Sequence, residues 1–249
     1  MRQAGKAEYP GKKILEPAHL EMRRKKRKRG HFFFVRRAEN GIIFPKFRKS
    51  THSEILTLRH MERHALEPFL PPAAELLMLG SFPPPRSKWC MDFYYPNPIN
   101  DMWRIFGIAF FNDPNRFVLP GGKGFDADAI RAFLTEKGIA VGDTARAVVR
   151  TNGNASDKFL EVAERLDLAA VLPKIPRCRA VAVTGQKALE TFAAISGAAA
   201  PKIGDASEFE FSGRKLLLFR MPSSSRAYPK PLAQKAAIYA EMFKKLNLL

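Results

Sequence analysis

Asn100 and Asp143 are the residues best placed to do chemistry in this sequence. Asn100 ends the stretch GSFPPPRSKWCMDFYYPNPIN, which holds many rings and little charge. Its amide can donate and accept hydrogen bonds without carrying charge. Just before it, Tyr94 and Tyr95 offer faces on which a planar ring can stack. These parts suit a flat, aromatic, hydrogen-bonding ligand. Four carboxylates lie near in sequence: Asp92, Asp101, Asp143 and Asp157. Asp143 follows an apolar run directly and is the first choice among them for positioning a water molecule. Asp101 and Asp157 read as helix caps or surface groups.

Other chemistries fit less well. The five histidines fall at 19, 31, 52, 60 and 64, away from the loops that carry Asn100 and Asp143. A Ser-His-Asp hydrolase or a His-ligated metal is therefore disfavoured. Two cysteines, Cys90 and Cys178, are too few for a four-thiolate zinc or iron–sulfur site and suit a reduced, intracellular protein. GSFPPP lacks the Gly-Lys-Ser ending of a phosphate-cradling loop and the three glycines of a dinucleotide fingerprint. No lysine carries the marks of a Schiff-base nucleophile. Lys88 and Arg86 read as contacts to phosphate or solvent. The expectation is a site with no cofactor and no metal.

The elements that must position these residues alternate. The run 76–79 is apolar throughout, as a strand buried on both faces should be. A helix is expected over 99–111, opened by Asn97 or Asn100, and another over 126–137, capped by Asp126 and ended by Gly138. Further strands are expected at 139–141, 180–184, 209–211 and 215–219, the last two around Ser212-Gly213. Further helices are expected over 156–170, 186–195 and 231–246. Strands separated by helices imply right-handed crossovers and a mostly parallel sheet between helical layers. Ligands bind such sheets at the carboxyl ends of the strands. That rule gathers the segments 80–100, 142–143, 185–186 and 221–228 on one rim.

The chain has 249 residues and a formal net charge of +18. Residues 1–60 hold 17 Lys/Arg against 5 Asp/Glu, with a dense block MRRKKRKRG at 22–30. Three readings of this extension stand level: a nucleic-acid tether, an inert solvated tail, or a segment before a natural start at Met61. The apolar runs 31–35 and 41–47 could pair as a hairpin. The remaining residues, 61–249, read as one domain with a milder basic excess, which attracts polyanions. No apolar run approaches the ~20 residues of a membrane span.

Five motifs occur in an order that resembles the uracil-DNA glycosylase superfamily: LMLGSFPPP, YYPNPINDMW, GIAVGDTARAVVRTNGNASDKF, AVAVTGQKA and MPSSSRAY. They look most like the branch holding hypoxanthine-DNA and mismatch-specific glycosylases, whose first motif is like GSFPS, whose second is like YYAHPRNxFW and whose last is like LPSTSPAN. The resemblance runs from about residue 67 to the C-terminus. It implies a three-layer α/β/α sandwich around a four-stranded parallel sheet. It also implies a monofunctional enzyme that removes a deaminated or mismatched base from DNA, acting as a monomer. A nucleoid-associated cytoplasmic protein is expected in a bacterium, with a nuclear location left open.

Carried over by motif, Gly80, Ser81, Phe82 and Pro83 would wall the base pocket and Tyr95 would stack on the extruded base. Asn100 would take part in catalysis, orienting water or supporting the departing base. Ser223, Ser224 and Ser225 would pinch the DNA backbone, and Arg226 would enter the base stack. Three departures stand out. The most active uracil enzymes have an aspartate where Phe82-Pro83 stand, and a histidine where Met221 stands. The branch's HPRN is Asn97-Pro98-Ile99-Asn100 here. They keep two other readings open: a non-catalytic DNA-binding member of the fold, and an enzyme acting on free nucleotides.

Overall fold

A computed structural model describes residues 61–150 and 160–249. The basic block at 22–30, the expected 31–47 hairpin and Asp157 lie outside the described residues. In chain order the elements are β1 (Met61–Arg63), β2 (Leu76–Gly80), α1 (Met102–Phe111), α2 (Ala127–Glu136), β3 (Ile139–Asp143), β4 (Ala145–Arg150) and β5 (Leu160–Arg165). There follow α3 (Leu168–Val171), β6 (Ala180–Thr184), α4 (Gln186–Ser196), β7 (Ala206–Phe211), β8 (Arg214–Met221) and α5 (Leu232–Lys245).

The larger sheet runs β3-β2-β6-β8-β7. Its first four strands are mutually parallel, with Gly80 in register with Asp143 and Thr184 with Met221. The fifth, β7, corrects the expectation of four strands: it pairs antiparallel with β8 at the sheet's edge. Ser212 and Gly213 both take positive φ, at 50° and 74°. A two-residue hairpin loop needs that geometry, and the hairpin makes β7 antiparallel.

Strands β2, β3 and β6 are buried along their whole length. Alternate side chains therefore serve two cores. Leu76, Met78, Ile139 and Val141 pack with Trp103, Phe106, Ile130, Tyr239 and Phe243 from α1, α2 and α5. Leu77, Leu79, Val181 and Val183 pack with Val171, Leu189 and Phe192 from α3 and α4. The sheet thus lies between two helical layers, as expected.

A second, antiparallel sheet of β1, β4 and β5 was not expected. It corrects the helix read over 156–170, because Leu160 to Arg165 forms β5. Burial alternates along it, with Leu160 and Val162 turned inward onto Ala145, Val148 and Phe82. That is a period of two. Among the described residues of that span, helix is found at Leu168–Val171, where Asp167 accepts the Ala170 N–H at 3.0 Å.

Candidate functional site

The carboxyl ends of β2, β3, β6 and β8 open into one cavity of about 780 Å³. Gly80, Ser81, Phe82, Pro83, Lys88, Tyr95, Asn100, Asp143 and the whole 223–226 loop line it. Every site residue expected from sequence is thus at this cavity except Tyr94. Tyr94 is 2% exposed and lies in the core between the rings of His64 and Phe93. The backbone explains the parting of the two tyrosines. Tyr95 takes φ of 51°, in the left-handed region, so its ring sits between the cavity and the edge of the core that Tyr94 enters. Burial pushes the Tyr94 phenol well above its ordinary pKa, with the Asp143 charge adding to the rise. Its hydroxyl has no hydrogen-bond partner among the described residues.

Tyr95 is fixed at both ends. Its ring meets Trp103 edge-on at 6.0 Å, and its hydroxyl shares a 3.1 Å hydrogen bond with Thr184 Oγ1. The Tyr95 hydroxyl and the Asp143 carboxylate both stand beside Gly80. A Cβ built there would lie 3.3 Å from the Tyr95 hydroxyl and 2.3 Å from Asp143 Oδ1. Glycine at the end of β2 is what lets the carboxylate sit at the cavity floor.

One of the histidines that chain position set apart from these loops is behind that carboxylate. His64 follows β1, which pairs antiparallel with β4. Its backbone N–H donates to Arg146 O at 2.8 Å. The Leu66 N–H donates to His64 Nδ1 at 3.0 Å, so Nε2 carries the hydrogen and donates to Asp143 Oδ2 at 2.8 Å. The second oxygen, Oδ1, is left over Gly80. Burial raises the Asp143 pKa above the ordinary carboxylate value, and the His64 hydrogen bond pulls against that rise. The missed signal was Met61-Glu62-Arg63: a short strand that carries His64 into the fold. Arg150 braces the same region, pairing with Glu62 at 2.8 Å and donating to Pro83 O at 2.6 Å.

Asn100 Oδ1 accepts the Met102 N–H at 2.9 Å, so the side chain opens α1 as expected. Asp101 departs from its expected role. It stands at the N-cap, but its side chain caps nothing. It is buried instead, where Arg226 Nε reaches Oδ1 at 2.9 Å and Lys235 Nζ reaches Oδ2 at 3.1 Å. Lys235 also donates to Ser225 O at 2.7 Å, and the Asp101 N–H donates to Ser224 O at 2.9 Å. The turn carrying Asn100 and the serine loop are thereby joined into one wall. Lys235 is only 1% exposed. The sequence did carry a sign of it: Lys235 lies four residues before Tyr239, on the apolar stripe of α5. Arg86, expected at phosphate or solvent, pairs with the exposed Asp92 and stacks on Trp89 at 4.2 Å.

Arranged this way, the cavity can hold a planar group against Tyr95 and offer it the Asn100 amide. It can also place a water on Asp143 Oδ1. No protein-family model matches the chain, and no curated protein does. Among solved structures, the chain is similar to the solution NMR structure of a candidate uracil DNA glycosylase from Methanosarcina acetivorans. That likeness has a TM-score of 0.53 and 22% identity, over 75% of this chain and 99% of that one. The chain therefore shares the α/β fold of that protein. Its main sheet is mixed and five-stranded.

Proposed function

We propose that this protein is a monofunctional DNA glycosylase that flips out and excises a deaminated or mismatched base, uracil or hypoxanthine foremost. The observation that carries the reading is the meeting of Tyr95, Asn100 and the buried Asp143 in one cavity walled by the serine loop. The fold shared with the Methanosarcina acetivorans protein supports it. So does the net charge of +18 on a chain that would bind a polyanion.

A base inside a duplex must leave the stack to be reached. In the proposed reaction the extruded base stacks on Tyr95, and the free side of the Asn100 amide holds its edge. The bond from the sugar C1′ to the base nitrogen breaks, and its electron pair leaves with the base. Positive charge builds on the sugar. A water held by Asp143 Oδ1 forms the new C1′–O bond and gives its proton to the carboxylate, which passes it on to solvent or the departing base. His64 holds Asp143 by Oδ2, so that Oδ1 faces the water. Only side chains and water are used. The protein acts on DNA as a monomer, and Ser223, Ser225 and Lys88 contact the phosphates, while Ser224, only 3% exposed, holds the loop against Asp101.

A panel of duplexes carrying uracil, hypoxanthine, xanthine or a G·T mismatch tests this, read as strand breaks after alkali. Excision of at least one, with no adduct trapped by borohydride, is the expected result. Salt-dependent binding with no base released from any duplex would instead establish a non-catalytic DNA-binding protein. Release of base from free nucleotides alone would establish the third reading. A buried carboxylate is costly to keep in a site that does no chemistry, which favours the enzyme.

A further inference from the structure

The 97–100 turn is braced from three directions. Asn97 Oδ1 accepts the Ile99 N–H at 3.1 Å, and Asn97 O accepts the Asn100 N–H at 2.8 Å. Arg104 Nη1 donates to Pro98 O at 3.0 Å. Asn100 also forms a bridge with Ser225 across the wall. The Ile99 side chain carried by this rigid turn is 59% exposed, the highest among the large apolar side chains of the described residues. It lines the cavity. Ile203, 44% exposed, lines it too. Lys88, Lys187, Arg220 and Arg226 stand around the same cavity. An apolar tip among cations, at the edge of a ring-walled slot, matches a duplex whose phosphates are held while one base step is opened. Proteins that open base steps do so with side chains such as Ile inserted from a fixed element. Arg226, expected from the resemblance to be that wedge, has its Nε engaged by the buried Asp101.

We propose that Ile99 is an apolar wedge that enters the base stack of bound duplex DNA beside the extruded nucleotide. This rests on the proposed reading that the cavity receives a base from a duplex. The Asn97 and Arg104 hydrogen bonds hold the turn in place, so Ile99 loses little conformational freedom on insertion. Apolar contact with the flanking bases then offsets part of their unstacking.

The test uses the full chain and a duplex holding a tetrahydrofuran abasic analogue, with 2-aminopurine as its neighbour on either side in separate oligonucleotides. Binding of the unaltered protein should raise 2-aminopurine fluorescence severalfold on one side of the analogue. Ile99→Ala should abolish most of that rise and weaken binding about tenfold, the factor that about 1.4 kcal/mol of lost apolar burial gives. Ile99→Met should preserve both. Ile99 is exposed, so both variants should fold, and unchanged thermal unfolding checks that they do. An unaltered fluorescence rise and affinity in Ile99→Ala would overturn the wedge while leaving the glycosylase reading intact. Failure of the unaltered protein to bind any duplex in a salt-dependent way would overturn both.

Discussion

Replacing Asp143 by asparagine should separate chemistry from folding. The His64 Nε2–H, 2.8 Å from Oδ2, would still meet an oxygen acceptor in the variant. A hydrogen bond to a charged acceptor is worth ~1.5–3 kcal/mol and a neutral one ~1 kcal/mol, so about 1 kcal/mol is lost there. The variant no longer buries an ionised carboxylate, which works the other way. The net change should lie within about 1 kcal/mol of zero. Asp143→Ala should cost more, about 1–3 kcal/mol, because it strands a buried N–H. Excision should fall about 10²–10⁴-fold in both, the usual range for a lost general base. The pH dependence gives a second check. Burial raises the folded-state pKa of Asp143 above its unfolded value. The unaltered protein therefore loses stability relative to Asp143→Asn as pH rises from the ordinary carboxylate range through the raised pKa; below that range the difference is constant. The acid limb of the unaltered protein's rate should lie above the ordinary carboxylate range, and Asp143→Asn should lack it. Single-turnover excision and urea unfolding, run side by side across pH, read all of this. Excision within about threefold of the unaltered rate in Asp143→Asn would refute the assignment, since a general base contributes far more.

The other predictions probe the walls of the same cavity. In Gly80→Ala, the added Cβ would stand 2.3 Å from Asp143 Oδ1. It should displace the carboxylate and lower excision on the order of 10²-fold with DNA affinity little changed, as a rate assay beside a binding assay would show. Tyr95→Ala should weaken binding to a lesion duplex about 5- to 150-fold while leaving undamaged duplex alone, since stacking gives ~1–3 kcal/mol per base; equal losses on both duplexes would remove the stacking role. Lys235→Met removes one of two cations from the buried Asp101, and Arg226 stays at 2.9 Å. The cost should be near the low end for a broken buried pair, ~3 kcal/mol, and Asp101→Asn in the same chain should recover part of it. A loss of under about 1 kcal/mol on unfolding would show that Lys235 does not hold the serine loop.

What the sequence revealed and what it hid follow from the range of the signals. The buried strands Leu76–Gly80 and Ala180–Thr184 were legible because burial on both faces leaves an unbroken apolar run. The hairpin of β7 and β8 was legible from Ser212-Gly213. The rim was legible because parallel strands all end on one side, which brought Asn100, Asp143 and the serine loop to one cavity. The failures involve pairings between distant segments. Leu160 to Arg165 has only two strong apolar positions, and its strand character depends on pairing with β4. The Tyr94–Tyr95 pair looked like two equal rings until one positive φ sent them to different sides. His64 and Lys235 are separated from their acid partners by 79 and 134 positions, beyond the reach of any spacing rule.

The place of Asp143 bears on the departures in the motifs. Under the proposed reading, a carboxylate is needed beside the sugar, and the loop after β2 offers Phe82-Pro83 where the most active uracil enzymes carry aspartate. Strand β3 lies next to β2 in the sheet, and Asp143 is the register partner of Gly80. A residue at the end of either strand can therefore deliver a side chain to the same corner of the cavity. The carboxylate reaches across from β3 only because Gly80 has no Cβ, and His64, the residue after β1, holds it there. Phe82 then serves the arrangement as packing, edge-on to the His64 ring at 5.3 Å. Phe82→Asp makes this a sharp test. If the two strand ends are equivalent deliverers, the double variant Phe82→Asp, Asp143→Asn should regain part of the excision lost in Asp143→Asn. If it regains none while binding lesion duplex normally, the β3 carboxylate works only with its histidine.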